Sequence, residues 1–536
     1  MKKLLLIIVA LSYQVTFAQI PQKQEKPTNW HLLDFQKDGY HGISLERTYD
    51  ELLKNKQAKQ KVIVAVIDCG VDYTHPDLEN ILWTNPKEIE GNGIDDDKNG
   101  YIDDIHGWNF IGGRKGATTE SIREYVRLRK GFENLKDTNL LQKKQNYAYW
   151  QRILKDKEAT LNLFPNLSTR IANNDRLIEY YRGINISDSI DINILKAYPV
   201  PESDSLLRKT YNRNLIILPF YPNQPNLESL NVMRRKTAEG YKKNLEWAQT
   251  TIEKNDIDYY TKLVGMENQD VNSTRVYGNN NLLPQEDHGT LCSGIITGVR
   301  NKGKGMDGIT NNIALMPIRI FFSVQGSDEL DKDVANAIFY AVNNGAKVIN
   351  MSFGKYFSPQ KKFVDEAIKY AESKGILIFS SAGNDNTDND IITKYPSAFN
   401  SKNKRYSNFT IVGATTSDST LLWNSSNYGK KTVDFFAPGS DIFTTAINHT
   451  YSTFSGTSFS APMASGIAAL LWSYYPTFTY KQIKYCLEKS VKPINQLVYV
   501  DNIKKQIPFN ELSRLGGIVN TYEAFLIAEK VFRGEK

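Results

Sequence analysis

Three short segments of this sequence each contain one of the residue types that acyl transfer requires. Asp68 follows the apolar run VIVAVI, His288 lies in Asp-His-Gly-Thr, and Ser458 lies in Gly-Thr-Ser-Phe-Ser-Ala-Pro. A serine hydroxyl becomes a nucleophile when a neighbouring imidazole takes its proton, and a carboxylate fixes the tautomer of that imidazole. The three residues therefore predict a site with an acid, a base and a nucleophile.

Taken singly, the same residues have ordinary structural explanations. An Asp after a strand often forms a turn, and a Ser at a helix start often caps the helix. The surroundings of Ser458 favour the chemical interpretation, because Gly456 permits a sharp turn into an apolar helical run over 460–472. Ser458 would then lie at a helix N-terminus, where free backbone N–H groups favour negative charge.

Seven segments in all resemble the signatures of the subtilisin-like serine proteases, the subtilases. Besides the three above, they are His75–Leu78, Val348–Gly354, Ser381–Asn384 and Phe436–Gly439. The resemblance covers roughly residues 60–112 and 284–490. It implies catalytic roles for Asp68, His288 and Ser458, and an oxyanion contact from the side-chain amide of Asn384, for which the alternative is a plain turn residue.

The same resemblance implies a substrate cleft built from two further segments. One wall, which would pair with an extended peptide by strand addition, would come from Ser352, Phe353 and Gly354. Part of the pocket for the residue before the cleaved bond would come from Ser381, Ala382 and Gly383. The alternative for both segments is an ordinary sheet edge.

The apolar pattern predicts the scaffold that must bring these residues together. Short apolar runs alternate with segments of helical periodicity; the runs are 62–67, 313–321, 346–351 and 376–380, and the helical segments are 334–343 and 363–374. This alternation predicts an α/β fold, a doubly wound, mostly parallel sheet with helices on both faces. Asp68 would end a strand and His288 would begin a helix, both at the carboxyl edge of the sheet.

A large basic block separates Asp68 from His288. We expect a signal peptide at 1–18, a short N-terminal extension at 19–61, a catalytic domain at 62–113 and 284–536, and a mainly helical insertion at 114–283. Residues 114–275 contain 27 Lys plus Arg against 20 Asp plus Glu, so this block supplies the whole net charge of +7. Such a block is either a solvated helical decoration or a lid that recruits substrate.

The N-terminus predicts export. Met1-Lys2-Lys3 precedes the apolar run Leu4–Leu11, which is too short to span a bilayer, and cleavage after Ala18 is expected. We therefore expect a periplasmic or secreted monomer without a membrane span. The modest charge argues against nucleic acid as a partner.

Three cysteines, an odd number, argue against a disulfide scaffold. Cys292 follows His288 by one helical turn, and Cys69 follows Asp68 directly. Both are interpreted as small buried thiols, with redox regulation as the alternative.

One loop has the spacing of a calcium site. Oxygen-bearing residues fall where EF-hand-type loops place ligands, with Gly100 at the sixth position; they are Asp95, Asp97, Asn99, Tyr101 and Asp103. The twelfth position is His106 instead of the expected Glu, so the pattern predicts calcium in a loop without flanking helices. An acidic, glycine-containing turn is the alternative.

Together these observations predict an exported serine endopeptidase that hydrolyses protein or peptide substrates. Its chemistry requires no cofactor, and calcium would be structural. Two alternatives remain. One is a catalytically silent peptide-binding or scaffold protein whose insertion holds a partner, and the other is a transpeptidase in which an amine displaces water from the acyl-enzyme.

Overall fold

A central sheet of seven parallel strands organises the protein. A computed structural model describes residues 26–114, 117–133, 146–186, 189–218, 226–255, 277–284, 286–300, 303, 305–322 and 327–535. The strands are β1 (Val62–Asp68), β2 (Trp108–Asn109), β3 (Ile313–Arg319), β4 (Val348–Met351), β5 (Leu377–Ser381), β6 (Phe409–Thr415) and β7 (Phe435–Pro438). They lie in the order β2-β3-β1-β4-β5-β6-β7.

Strand β1 shows why the apolar run is continuous. Val64 and Val66 belong to one buried hydrophobic cluster, whereas Ala65 and Ile67 belong to a second one. Successive side chains of a strand point to opposite faces of a sheet, so the two clusters lie on opposite faces. A strand covered on both faces needs apolar residues at every position. The predicted doubly wound α/β fold is confirmed.

Helices cover both faces of the sheet. The described helices are α1 (Phe35–Asp38), α2 (Leu45–Thr48), α3 (Glu120–Glu133), α4 (Tyr147–Leu161), α5 (Leu163–Gly183), α6 (Ile192–Ala197), α7 (Ser205–Ile217), α8 (Leu227–Lys254), α9 (His288–Thr297), α10 (Asp331–Asn343), α11 (Lys361–Ser373), α12 (Thr457–Tyr474), α13 (Tyr480–Ser490) and α14 (Thr521–Phe532). Helices α9 and α12 pack on the Val64 face, and α10 and α11 pack on the Ile67 face. Two hairpins, β8 (Ile442–Ala446) with β9 (Thr450–Phe454) and β10 (Leu497–Val500) with β11 (Lys505–Pro508), complete the described strands.

The basic block leaves the sheet and returns to it at one point. The Asn109 N–H donates to the Asn279 carbonyl at 2.8 Å, and the Asn279 N–H donates back to the Asn109 carbonyl at 3.1 Å. Helices α3 to α8 lie between these two residues. Since a loop's closure entropy grows only slowly with its length, this excursion leaves the register of the sheet intact.

Buried charges attach the block to the segments that follow β3 and β4. Lys355 Nζ donates to Glu120 Oε2 at 2.9 Å and lies 3.0 Å from Asp331 Oδ1. Arg123 donates to the same Glu120 oxygen at 2.7 Å. All four side chains are at most 5% exposed. Helix α3 therefore contacts the segment that directly follows Gly354.

The segment before β1 packs on the core. Trp30, Leu32, Ile43 and Leu45 belong to the same hydrophobic cluster as α12 and are at most 1% exposed. The predicted signal peptide, 1–18, lies outside the described residues. Within the described part of the chain, every helix is too short or too polar to cross a membrane.

Candidate active site

Asp68 and His288 form a hydrogen-bonded pair at the carboxyl edge of the sheet. Asp68 is the last residue of β1 and is fully buried, and His288 is the first residue of α9. The Asp68 Oδ1 atom is 2.8 Å from His288 Nδ1 and also accepts from the Cys69 N–H at 2.7 Å. Asp68 thereby holds the imidazole with Nδ1 as donor and leaves Nε2 as the acceptor.

The surroundings of His288 shift its pKa in two opposite directions. Burial lowers the pKa of His288, but the Asp68 carboxylate opposes this effect through its charge and its hydrogen bond, and the net result is a raised pKa. The His288 side chain is 22% exposed, so solvent reaches it. Among the described residues, the second carboxylate oxygen of Asp68 is buried without a hydrogen-bond partner.

Ser458 lies beside the pair, but its hydroxyl points elsewhere. It is the second residue of α12, and its Oγ donates to the Ser352 carbonyl at 3.0 Å. Among the hydrogen bonds of the described residues, none joins Ser458 to His288. Cys292 Sγ donates to the Ser458 carbonyl at 3.4 Å. The same sulfur lies within 4.8 Å of a carboxylate oxygen of Asp68 and of a ring nitrogen of His288.

A second contact fixes the backbone at Ser458. Ser352 Oγ donates to the Ser458 carbonyl at 2.8 Å and accepts from Asn350 Nδ2 at 3.0 Å. Asn350 in turn accepts from Ser465 on α12 at 3.1 Å. These buried bonds join the end of β4 to the start of α12. These contacts hold the backbone of Ser458, whereas its hydroxyl can still move by rotation about the Cα–Cβ bond.

The Asn384 side chain is oriented with a free donor. Its Oδ1 accepts from the Thr457 N–H at 3.0 Å and from the Thr457 hydroxyl at 2.7 Å. A backbone N–H can only donate, so the oxygen must face Thr457 and the Nδ2 group must face away. Among the described residues Nδ2 has no acceptor, and Asn384 is exposed. The free amide and the N-terminal end of α12 can both stabilise an anion beside Ser458.

The two predicted cleft segments leave neighbouring strands. Ser352, Phe353 and Gly354 follow β4, and Ser381 ends β5 and is followed by Ala382 and Gly383. Strands β4 and β5 pair directly, so both segments begin at the carboxyl edge near Ser458. Lys394, which the sequence did not single out, donates to a carbonyl in each segment.

Comparison with known proteins decides the family. A model described as "Subtilase family" matches residues 59–506. The chain belongs to this family. Thermitase of Thermoactinomyces vulgaris is 32% identical to this subtilase over 263 residues, which are 47% of the chain and 86% of thermitase. The thermophilic serine proteinase of Bacillus sp. (strain AK1) is 36% identical over 186 residues, 35% of the chain and 42% of that protein.

A cell wall-associated protease of Bacillus subtilis (strain 168) is 31% identical over 233 residues, 44% of this chain and 24% of that protein. The subtilase therefore spans less than half of the length of two of these three relatives. The resemblance noted in the sequence is confirmed, and the protein is a serine-type endopeptidase by family. Enzymes of this family need no cofactor for catalysis.

The thiols of this subtilase are buried and protonated. Burial raises the pKa of Cys69 and of Cys292 well above the ordinary thiol value, and the nearby Asp68 charge adds to both shifts. A thiolate, not a thiol, is the nucleophile in cysteine proteases. Cys292 therefore packs beneath the Asp68–His288 pair as a thiol that is not a nucleophile.

The acidic loop brings together a set of carboxylates that differs from the predicted one. Glu88, Asp95 and Asp97 each have a carboxylate oxygen within 4.8 Å of the other two. Asn99 instead donates through its side chain to Asp104 at 3.2 Å, and Asp103 accepts from the Gly93 N–H at 3.0 Å. Within the described ranges, the Glu88 Oε2 atom is buried without a hydrogen-bond partner. Three carboxylates at this spacing are ligands suited to Ca²⁺.

Tyr101 and His106, the other loop positions considered for calcium, contact aromatic rings and the backbone instead of the three carboxylates. Tyr101 is buried against Trp108 and Tyr340, with ring centroids 5.0 and 4.9 Å away. His106, at the twelfth loop position, is hydrogen-bonded through Nδ1 to the Trp83 carbonyl at 2.8 Å. Glu88 escaped the sequence analysis because it lies outside the loop spacing; its Oε1 accepts from the Asp97 N–H at 3.0 Å.

Proposed function

We propose that this subtilase is an exported endopeptidase that hydrolyses peptide bonds through an acyl-enzyme on Ser458. The observation that carries the proposal is the 2.8 Å Asp68–His288 pair beside the Ser458 backbone. In the proposed reaction, the Ser458 hydroxyl turns from the Ser352 carbonyl to His288 Nε2, which takes its proton as the oxygen attacks the substrate carbonyl. Catalytic hydrogen bonds in ligand-free sites often form only in the substrate complex.

Charge that develops on the substrate oxygen is stabilised by two donors. These are the Ser458 backbone N–H at the start of α12 and the Asn384 Nδ2 group, which has no acceptor among the described residues. Protonated His288 then gives its proton to the leaving amine, and water resolves the acyl-enzyme by the reverse sequence. Asp68 stabilises the imidazolium that forms in both halves of the reaction.

Substrate would bind as an extended strand along the segment after β4. Ser352, Phe353 and Gly354 follow the paired residues of β4 next to Ser458, and an extended peptide would add to this segment by main-chain hydrogen bonds. Protein or peptide substrates fit this geometry. We propose that the enzyme works as a monomer. We also propose that it works in the periplasm or outside the cell, because residues 4–11 form an apolar run typical of a signal peptide.

We also propose that calcium binds at the acidic loop with a structural role. Glu88, Asp95 and Asp97 would hold the ion, with further oxygen ligands from the loop backbone. Calcium would keep three neighbouring carboxylates from repelling one another.

Fluorophosphonate labelling tests the catalytic proposal. The reagent modifies only a serine that a neighbouring base activates, so it should label the wild-type protein at Ser458 and leave Ser458→Ala unlabelled. Ser455→Ala is the matched control, because Ser455 is an exposed serine three positions away and should not affect labelling. A wild-type protein that stays unlabelled would favour the catalytically silent alternative. Mass spectrometry of products formed with an added amine separates hydrolysis from transpeptidation.

A further inference from the structure

Lys394 occupies the crevice between the two cleft segments. Its ammonium donates to the Phe353 carbonyl at 2.7 Å and to the Ser381 carbonyl at 2.9 Å. The residue is only 9% exposed. Because Phe353 follows β4 and Ser381 ends β5, the lysine bridges the ends of two neighbouring strands. A positive charge therefore lies where the side chain before the cleaved bond would enter.

Two glycines make room for this lysine. A side-chain carbon added at Gly354 would overlap the Lys394 ammonium, and one added at Gly383 would lie 3.0 Å from Lys394 Cδ. Gly354 and Gly383 belong to the opposite walls of the cleft. The lysine side chain thus passes between the walls at the two positions where each wall lacks a side chain.

The ammonium has no counter-ion in direct contact. It has three N–H bonds, of which two are donated to neutral carbonyls, and no carboxylate of the described chain is within ion-pair distance. Burial lowers the pKa of Lys394 to about 8, whereas the more distant Glu329 and Asp385 oppose the shift. A buried charge without a partner is costly, and an incoming carboxylate would remove that cost.

We propose that Lys394 selects an acidic residue immediately before the cleaved bond. The carboxylate of a bound glutamate or aspartate would accept the third N–H of the ammonium and neutralise it. This inference rests on the proposed function, because it assigns the specificity of the pocket beside Ser458. Lys394 would act by touching the substrate side chain and would take no part in the proton transfers at His288.

A matched series of peptide anilides tests the assignment. The substrates are identical except that Glu, Asp, Gln or Leu precedes the scissile bond, and kcat/KM is measured for the full chain. Glu should exceed the isosteric Gln by roughly 10- to 100-fold, which is the worth of a hydrogen bond to a charged group. Gln or Leu cleaved as fast as Glu would overturn the proposal.

Substitution of the lysine separates specificity from a merely structural role. Lys394→Met keeps the length of the side chain without its charge and should bring the Glu-to-Gln ratio close to one, while fluorophosphonate still labels Ser458. Lys394→Arg should keep the preference for Glu. Lys402→Met, at an exposed lysine, is the control and should leave the ratio unchanged. A Glu preference that persists in folded Lys394→Met would overturn the proposal.

Binding distinguishes a failure of this inference from a failure of the proposed function. If Ser458 is not labelled, the catalytic proposal fails, and the pocket is then examined without turnover. Peptides ending in Glu or in Gln are titrated into Ser458→Ala by calorimetry. The Glu peptide should bind at least about tenfold more tightly. Equal affinities would refute the role of Lys394 whether or not the protein is an active protease.

Discussion

Replacing Asn384 by alanine tests the oxyanion site most directly. The Nδ2 group of Asn384 donates to no described residue, so its removal breaks no protein hydrogen bond made by that atom. Its effect should fall on the transition state, where the substrate oxygen becomes negative. We expect kcat to fall about 10²- to 10³-fold, which is the loss known for subtilisin-type enzymes when one such donor is removed and corresponds to about 2.7–4 kcal/mol.

The same substitution also affects stability, and the two effects can be separated. Asn384 Oδ1 accepts two hydrogen bonds from Thr457, and their loss should cost about 1–3 kcal/mol of folding free energy. The isosteric variant Asn384→Asp keeps this acceptor. It should melt close to the wild type, yet its kcat should fall at least as far as that of Asn384→Ala, because a carboxylate oxygen replaces the donor.

Steady-state kinetics on a peptide anilide, well below the melting temperature, measures both variants. A transition-state contact lowers kcat and kcat/KM together and leaves KM nearly unchanged. The reasoning would be refuted if Asn384→Ala lowered the melting temperature while kcat stayed within about threefold of the wild type. Asn384 would then be a turn residue that positions Thr457, which is the plain interpretation of its sequence context.

Three further predictions follow from charges in the structure. Activity should fall on acidification, because catalysis needs neutral His288, and it should begin to fall at a higher pH than an ordinary histidine would give, because the surroundings of His288 raise its pKa. Asp68→Asn should move this loss of activity to lower pH. An unmoved pH profile would contradict the pairing of Asp68 with His288. Added calcium should raise the melting temperature of the wild type and raise that of Glu88→Gln less, whereas equal shifts would place the ion elsewhere. Lys355→Met should lower the free energy of unfolding, measured in urea, by about 3–5 kcal/mol, because it removes the ammonium that the buried carboxylates of Glu120 and Asp331 share. Lys347→Met, at an exposed lysine, is the control and should change the free energy of unfolding little. Similar losses in both variants would contradict a stabilising role for the buried Lys355 contacts.

The chemistry-bearing residues were accessible from the sequence because local patterns encode them. The run VIVAVI predicted a strand ending at Asp68, and β1 spans Val62–Asp68. A strand buried on both faces allows no polar interruption, so its sequence signal is strong. The helices that begin near His288 and Ser458 were also predicted: His288 was expected to begin a helix, and the apolar run over 460–472 follows the turn at Gly456.

Contacts between distant segments were not accessible. Lys394 lies in an unremarkable Thr-Lys-Tyr-Pro stretch, and its place depends on how the chain after β5 folds back over the strand ends, 41 residues from Phe353. Glu88 joins Asp95 and Asp97 only because the chain reverses before the loop. The buried contact of α3 with Lys355 likewise joins segments 235 residues apart.

The sequence by itself determined which side chains are able to do chemistry and which elements end beside them, since residue type and burial periodicity are properties of neighbours along the chain. Only the tertiary structure decided where the Ser458 hydroxyl points, which carboxylates share the acidic loop, and that an ammonium lies between the cleft walls. Those features depend on distances across the closed core, where a single rotation or a folded-back loop changes the partner of every polar atom it carries.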